Sequence, residues 1–95
     1  MKLSEILNEL LDRGFNPNFN STGILCEINL DNCSFGLTIA PSYSEFIRCV
    51  AWESYAGSDY FDRLFPSLKE ALFSAQMAAV LDTARLTEEI AHLGN

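Results

Sequence analysis

Gly23-Ile24-Leu25-Cys26-Glu27-Ile28-Asn29-Leu30-Asp31-Asn32-Cys33-Ser34-Phe35-Gly36-Leu37-Thr38-Ile39-Ala40 decides the fold, because its side chains fix their own pairing. Ile24, Cys26, Ile28 and Leu30 alternate with Leu25, Glu27 and Asn29. Beyond Asp31-Asn32, Cys33, Phe35, Leu37 and Ile39 alternate with Ser34, Gly36 and Thr38. Period-two alternation marks a strand with one buried face. A two-residue turn at Asp31-Asn32 opposes Leu30 to Cys33, Ile28 to Phe35, Cys26 to Leu37 and Ile24 to Ile39, so every pair on one face is apolar. The other face opposes Asn29 to Ser34 and Glu27 to Gly36. A slip of one residue would turn the apolar set to solvent. Asp and Asn tolerate positive φ, which predicts a type I′ turn between the strands.

The flanks read as helices. Leu3, Ile6, Leu7, Leu10 and Leu11 recur at helical spacing. Gly14 suits the left-handed residue that ends a helix, and Phe15 can fold back on Leu10 as in a Schellman cap. Asn16 to Thr22 reads as a loop. Phe46 to Glu53 reads as a third strand whose two faces, Phe46/Arg48/Val50/Trp52 and Ile47/Cys49/Ala51, are both largely apolar. Tyr60 to Leu64 is either a fourth strand or the approach to the next helix. Ser67-Leu68-Lys69-Glu70 is a capping box. It opens a long helix with Leu68, Leu72, Ala75 and Ala79 on one stripe, continued by Leu86, Ile90 and Leu93. That helix either runs on or breaks near Asp82-Thr83 or Thr87-Glu88-Glu89, where N-cap residues recur. The expected fold is one α+β domain over residues 1–95: a two-layer sandwich of an N-terminal helix, a three- or four-stranded antiparallel meander and a long C-terminal helix.

Hydrophobic residues make up 48% of the chain and charged residues 20%, which excludes the disordered class. Thirteen Asp and Glu against six Lys and Arg give a net charge of −7. Between Arg13 and Arg48 the charged side chains are Glu27, Asp31 and Glu45, all negative. Such a chain repels phosphate, so neither direct nucleic-acid binding nor docking on an anionic membrane is expected. The helix–strand–strand–strand–helix order resembles that of double-stranded-RNA-binding domains. Those domains grip phosphates with lysines at the start of the last helix, where this chain has one Lys beside Glu70, so only the topology is shared. No apolar run is long enough to span a membrane, and Glu5 and Glu9 fall where a signal peptide would be apolar. A cytoplasmic protein is expected. Cys26, Cys33 and Cys49 form no metal-binding motif, and Cys26 and Cys33 are not opposed, which predicts reduced thiols packed as small hydrophobes.

Little here suggests catalysis. The one histidine, His92, lies close to the C-terminus and has no Cys, Ser or Lys partner at a telling spacing. The five glycines are too scattered for a phosphate loop, and Asp59 with Asp62 is too sparse for a calcium loop. No cofactor and no metal are expected, and the protein reads as non-enzymatic.

Binding is better represented. Trp52, Tyr55 and Tyr60 cluster with Glu53, Asp59 and Asp62 around one turn: either Trp52 is core with the tyrosines lining its edge, or the rings are contact anchors, a frequent role of Trp and Tyr. With Glu27, Asp31 and Glu45 they make an acidic, aromatic candidate surface for a partner protein with a basic face. Basic faces are commonly nucleic-acid-binding grooves, so the expected role is a nucleic-acid mimic that occupies one. In size and charge the chain resembles small phage-encoded inhibitors of bacterial defence, anti-CRISPR proteins among them. The alternative is a structural subunit acting as a homodimer or assembly component through its C-terminal helix. There Phe73, Met77, Val80 and Leu81 form a second apolar flank that one small sheet does not need. Either the first helix or a second copy is expected to cover it.

Overall fold

The computed structural model describes residues 2–20 and 23–93, with the side chains of Asn20 and of residues 90–93 outside the description. The expected continuation of the apolar stripe through Ile90 and Leu93, and the expectation for His92, therefore concern side chains outside the described ones. Helix α1 (Leu3–Asp12) is followed by strands β1 (Asn18–Asn20), β2 (Gly23–Asn29), β3 (Ser34–Pro41), β4 (Ile47–Glu53) and β5 (Asp59–Phe65), and then by helix α2 (Leu68–Leu93). The strands form one antiparallel sheet in chain order. This is the expected α+β arrangement, with five strands rather than three or four.

The register of β2 on β3 is the one the side chains dictate: Ile24 opposes Ile39, Cys26 opposes Leu37 and Ile28 opposes Phe35. The turn differs from expectation. Among the described non-glycine residues only Ser44 has positive φ, so Asp31 and Asn32 do not form a type I′ turn. A turn lacking that twist splays the strand ends. Leu30 still donates its N–H to the Cys33 carbonyl at 2.8 Å, yet Cys33 is buried while Leu30 points outward.

β1 occupies what reads as a loop. Phe19 pairs with Ile24, and the strand is three residues long and rich in Asn, too short to show alternation. β5 settles the status of Tyr60 to Leu64 as strand. Its ladder with β4 is bulged: Ala51 opposes Phe61 and Trp52 opposes Asp59, leaving Tyr60 inserted between them.

Both helices cover one face of the sheet. Ile24, Cys26, Leu37, Ile39, Ile47, Cys49 and Ala51 are fully buried there, against Ile6 and Leu10 of α1 and Leu68, Ala71 and Ala75 of α2. α2 crosses β3, β4 and β5, whereas α1 packs against β2. The end of α1 is a Schellman motif: Gly14 (φ 86°) donates to the Leu11 carbonyl and Phe15 to that of Leu10. At the start of α2, the Ser67 hydroxyl accepts from the Glu70 N–H at 3.2 Å.

α2 does not break. Thr83 and Thr87 are not caps, because their hydroxyls donate back to the carbonyls of Ala79 and Thr83, each at 2.9 Å. Glu88 and Glu89 accordingly lie inside a helix rather than in the first turn of a new one. At 26 residues α2 is about 39 Å long, and a seven-residue strand spans about 23 Å. Its second half therefore runs past the sheet, and the molecule measures 51 × 23 × 22 Å.

Candidate functional site

The sheet face away from the helices carries Leu25, Glu27, Thr38, Arg48, Val50, Trp52 and Asp62, all exposed or half-buried. Alternation puts them there once their neighbours enter the core. This resolves the two apolar faces of β4: Ile47, Cys49 and Ala51 are core, and Val50 and Trp52 belong to the open face.

Trp52 is seated on Gly36, its cross-strand partner. A Cβ built on Gly36 would stand 2.1 Å from Cζ2 of the indole, so the ring crosses β3 where that strand has no side chain. Glu27 is the other neighbour of Gly36, and Asp59 the other neighbour of Trp52. One row across the sheet thus reads Glu27, Gly36 under the indole, and Asp59. Further along the same face, Asp62 opposes Val50 and is gripped diagonally by Arg48, Nε donating to Oδ1 at 2.8 Å and Nη2 to Oδ2. The hydrogen bonds from Arg48 hold the Asp62 carboxyl below its ordinary range. Arg48, Val50, Thr38 and Ala40 line a shallow groove of about 190 Å³.

Tyr55 and Tyr60 do not join Trp52. They reach around the end of the sheet to the helix layer, where both hydroxyls donate to Oδ2 of Asp82, at 2.8 and 3.1 Å. The bulge places the Tyr60 ring for this. Arg85 donates to the other oxygen of Asp82 at 2.9 Å and to Glu89 at 2.7 Å. Hydrogen bonds from Arg85, then from Tyr55, hold the Asp82 carboxyl low. Burial, then Asp82, pushes Tyr60 up to about 12. Tyr55 is raised by hydrogen bonding to Glu53 and Asp82. Tyr55, Tyr60 and Asp82 thus staple α2 to the β4–β5 end of the sheet, and Arg85 braces Asp82 from within the helix.

The candidate carboxylates are thus dispersed over three surfaces. Glu27 and Asp59 flank the indole, Asp31 tips the β2–β3 turn at the same end of the sheet, and Glu53 points toward the tyrosine–Asp82 staple. Asp62 is spoken for by Arg48, and Glu45 is exposed in the β3–β4 turn at the opposite end. On α2, Phe73, Met77 and Leu81 face solvent, whereas Val80 is half-buried against the core. Gly36 and Asp82 escape sequence reading. Gly36 would have been found by extending the pairing to β4, and Asp82 only from the bulge.

The three thiols are unbridged and buried. Burial raises all three and pushes Cys49 up to about 12, so they stay protonated. Among the described residues no three His, Cys, Asp or Glu gather to hold a metal. Among them, too, no helix is long and apolar enough to cross a membrane. No family model, curated protein or solved structure matches the chain.

Proposed function

We propose that this protein is a non-enzymatic, cytoplasmic binding module that docks on a basic surface of a partner protein and keeps nucleic acid off it. That is the mode of action the anti-CRISPR-like size and charge suggest. The observation that carries the reading is the row Glu27, Trp52 on Gly36, and Asp59. An arginine approaching the outer face of the indole gains a cation–π contact with a carboxylate on each side. Asp31 at the same end extends the negative field, which steers a basic groove toward this face.

The test replaces Glu27, Asp31 and Asp59 together by Lys and compares capture of proteins from host lysate by the two forms. A partner is expected that the wild type retains and the triple variant loses. Raising salt from 0.05 to 0.5 M should release it, and added duplex should compete for it. A partner held equally at both salt concentrations, or direct binding of duplex by the purified protein, overturns the proposal.

A further inference from the structure

We infer that the outer face of α2 is a homodimer interface in which two copies pair antiparallel about Met77. Phe73, Met77 and Leu81 stand at i, i+4 and i+8 and are 65%, 44% and 65% exposed. They lie opposite the helix side that buries Leu68, Leu72, Ala75 and Ala79. From Ala71 to Leu81 no residue is charged, although half of that surface faces solvent. A solvated helix face carries polar residues, and a contiguous apolar one marks an association surface. α1 does not cover it, because Ile6 and Leu10 are committed to the core.

The pattern is self-complementary, which points to a second copy as the occupant. Antiparallel pairing centred on Met77 sets Phe73 of each copy against Leu81 of the other, and Met77 against its equivalent. Glu70 then comes level with Ala84, beside Arg85 of the second copy, whose guanidinium also holds Asp82 and Glu89 of its own helix. Glu70 and Arg85 bracket the apolar stripe on one edge of the helix. A parallel pair would instead set Glu70 level with Glu70 and Arg85 level with Arg85. Phe73 also borders a groove of about 650 Å³ whose lining mixes Phe65 and Leu72 with Arg13, Lys69, Glu70 and Gln76.

This inference is independent of the acidic docking proposal, and salt separates the two. Two chains of −7 repel, so screening should strengthen an apolar homodimer while it weakens a charge-steered partner contact. In sedimentation at about 100 μM, the wild type is expected as a dimer that tightens from 0.05 to 0.5 M salt. Met77→Glu and Phe73→Glu are each expected to weaken association by at least about 100-fold, with unchanged far-UV circular dichroism. Met77→Cys alone should cross-link on oxidation. Phe73→Cys should cross-link when mixed with Leu81→Cys but not with itself. A wild-type monomer, a dimer unaffected by either glutamate, unfolding of either variant, or self-cross-linking of Phe73→Cys overturns the assignment.

Discussion

Gly36 matters for what it leaves out. A methyl group there collides with the far end of the Trp52 ring, so Gly36→Ala must swing the indole off the sheet. Chemical denaturation is expected to show a loss of about 1–3 kcal/mol, the range for overpacking. A stability within about 0.3 kcal/mol of wild type would mean that the ring gains little from its seat. On the adjoining position the other face is core. Phe35 is buried to 2% exposure, and Phe35→Ala should cost about 3–5 kcal/mol. Ser34→Ala, one residue away on the open face, should stay within about 0.5 kcal/mol. Equal effects would contradict the register. That register was legible because each apolar residue of β2 had an apolar partner on β3. Turn conformation was not, since Asp31 and Asn32 permit positive φ without requiring it.

The tie between α2 and the β4–β5 turn has a definite pH window. Asp82 titrates below its ordinary value when folded, so its contribution is complete above the unfolded pKa of about 3.9 and disappears as pH falls through the lower folded value. The tyrosines are shifted upward, so their contribution is complete below about pH 10 and is lost as pH rises through the folded values. The protection factors of the α2 backbone amides beyond Asp82, that is, exchange relative to an unstructured amide at the same pH, should therefore hold level between about pH 4 and 10 and fall outside that range. Asp82→Asn, which cannot ionise, should remove the acid-side change. An acid limb that survives in Asp82→Asn would assign it to another carboxylate. Sequence showed the two tyrosines as a cluster but grouped them with Trp52. Alternation along a strand assumes one residue per rung, and the extra residue at Tyr60 breaks that count.

In the molecule as a whole the helix layer and the open sheet face lie on opposite sides. Pairing through α2 stacks two protomers as sheet, helix, helix, sheet, with both open faces outward and 26-residue helices at the centre. The two association surfaces share no residue, so their substitutions should act independently. Met77→Glu is expected to abolish dimerisation and leave partner capture per chain intact, and the Glu27, Asp31, Asp59 triple Lys variant to do the reverse. Loss of both by either change, read by sedimentation and capture side by side, would mean that one surface serves both. Fold class was legible from periodicity because each long element buries one face. Binding surfaces were less so, because a carboxylate's sequence does not record whether an arginine such as Arg48 already neutralises it. The seat of Trp52 has one more consequence. It is the chain's single tryptophan, and it stands outside the hydrophobic core, on the side away from the helices. Its fluorescence therefore reports the wetness of the open sheet face: a ligand settling there should shift the emission to the blue, while two helices meeting on the far side leave it unmoved.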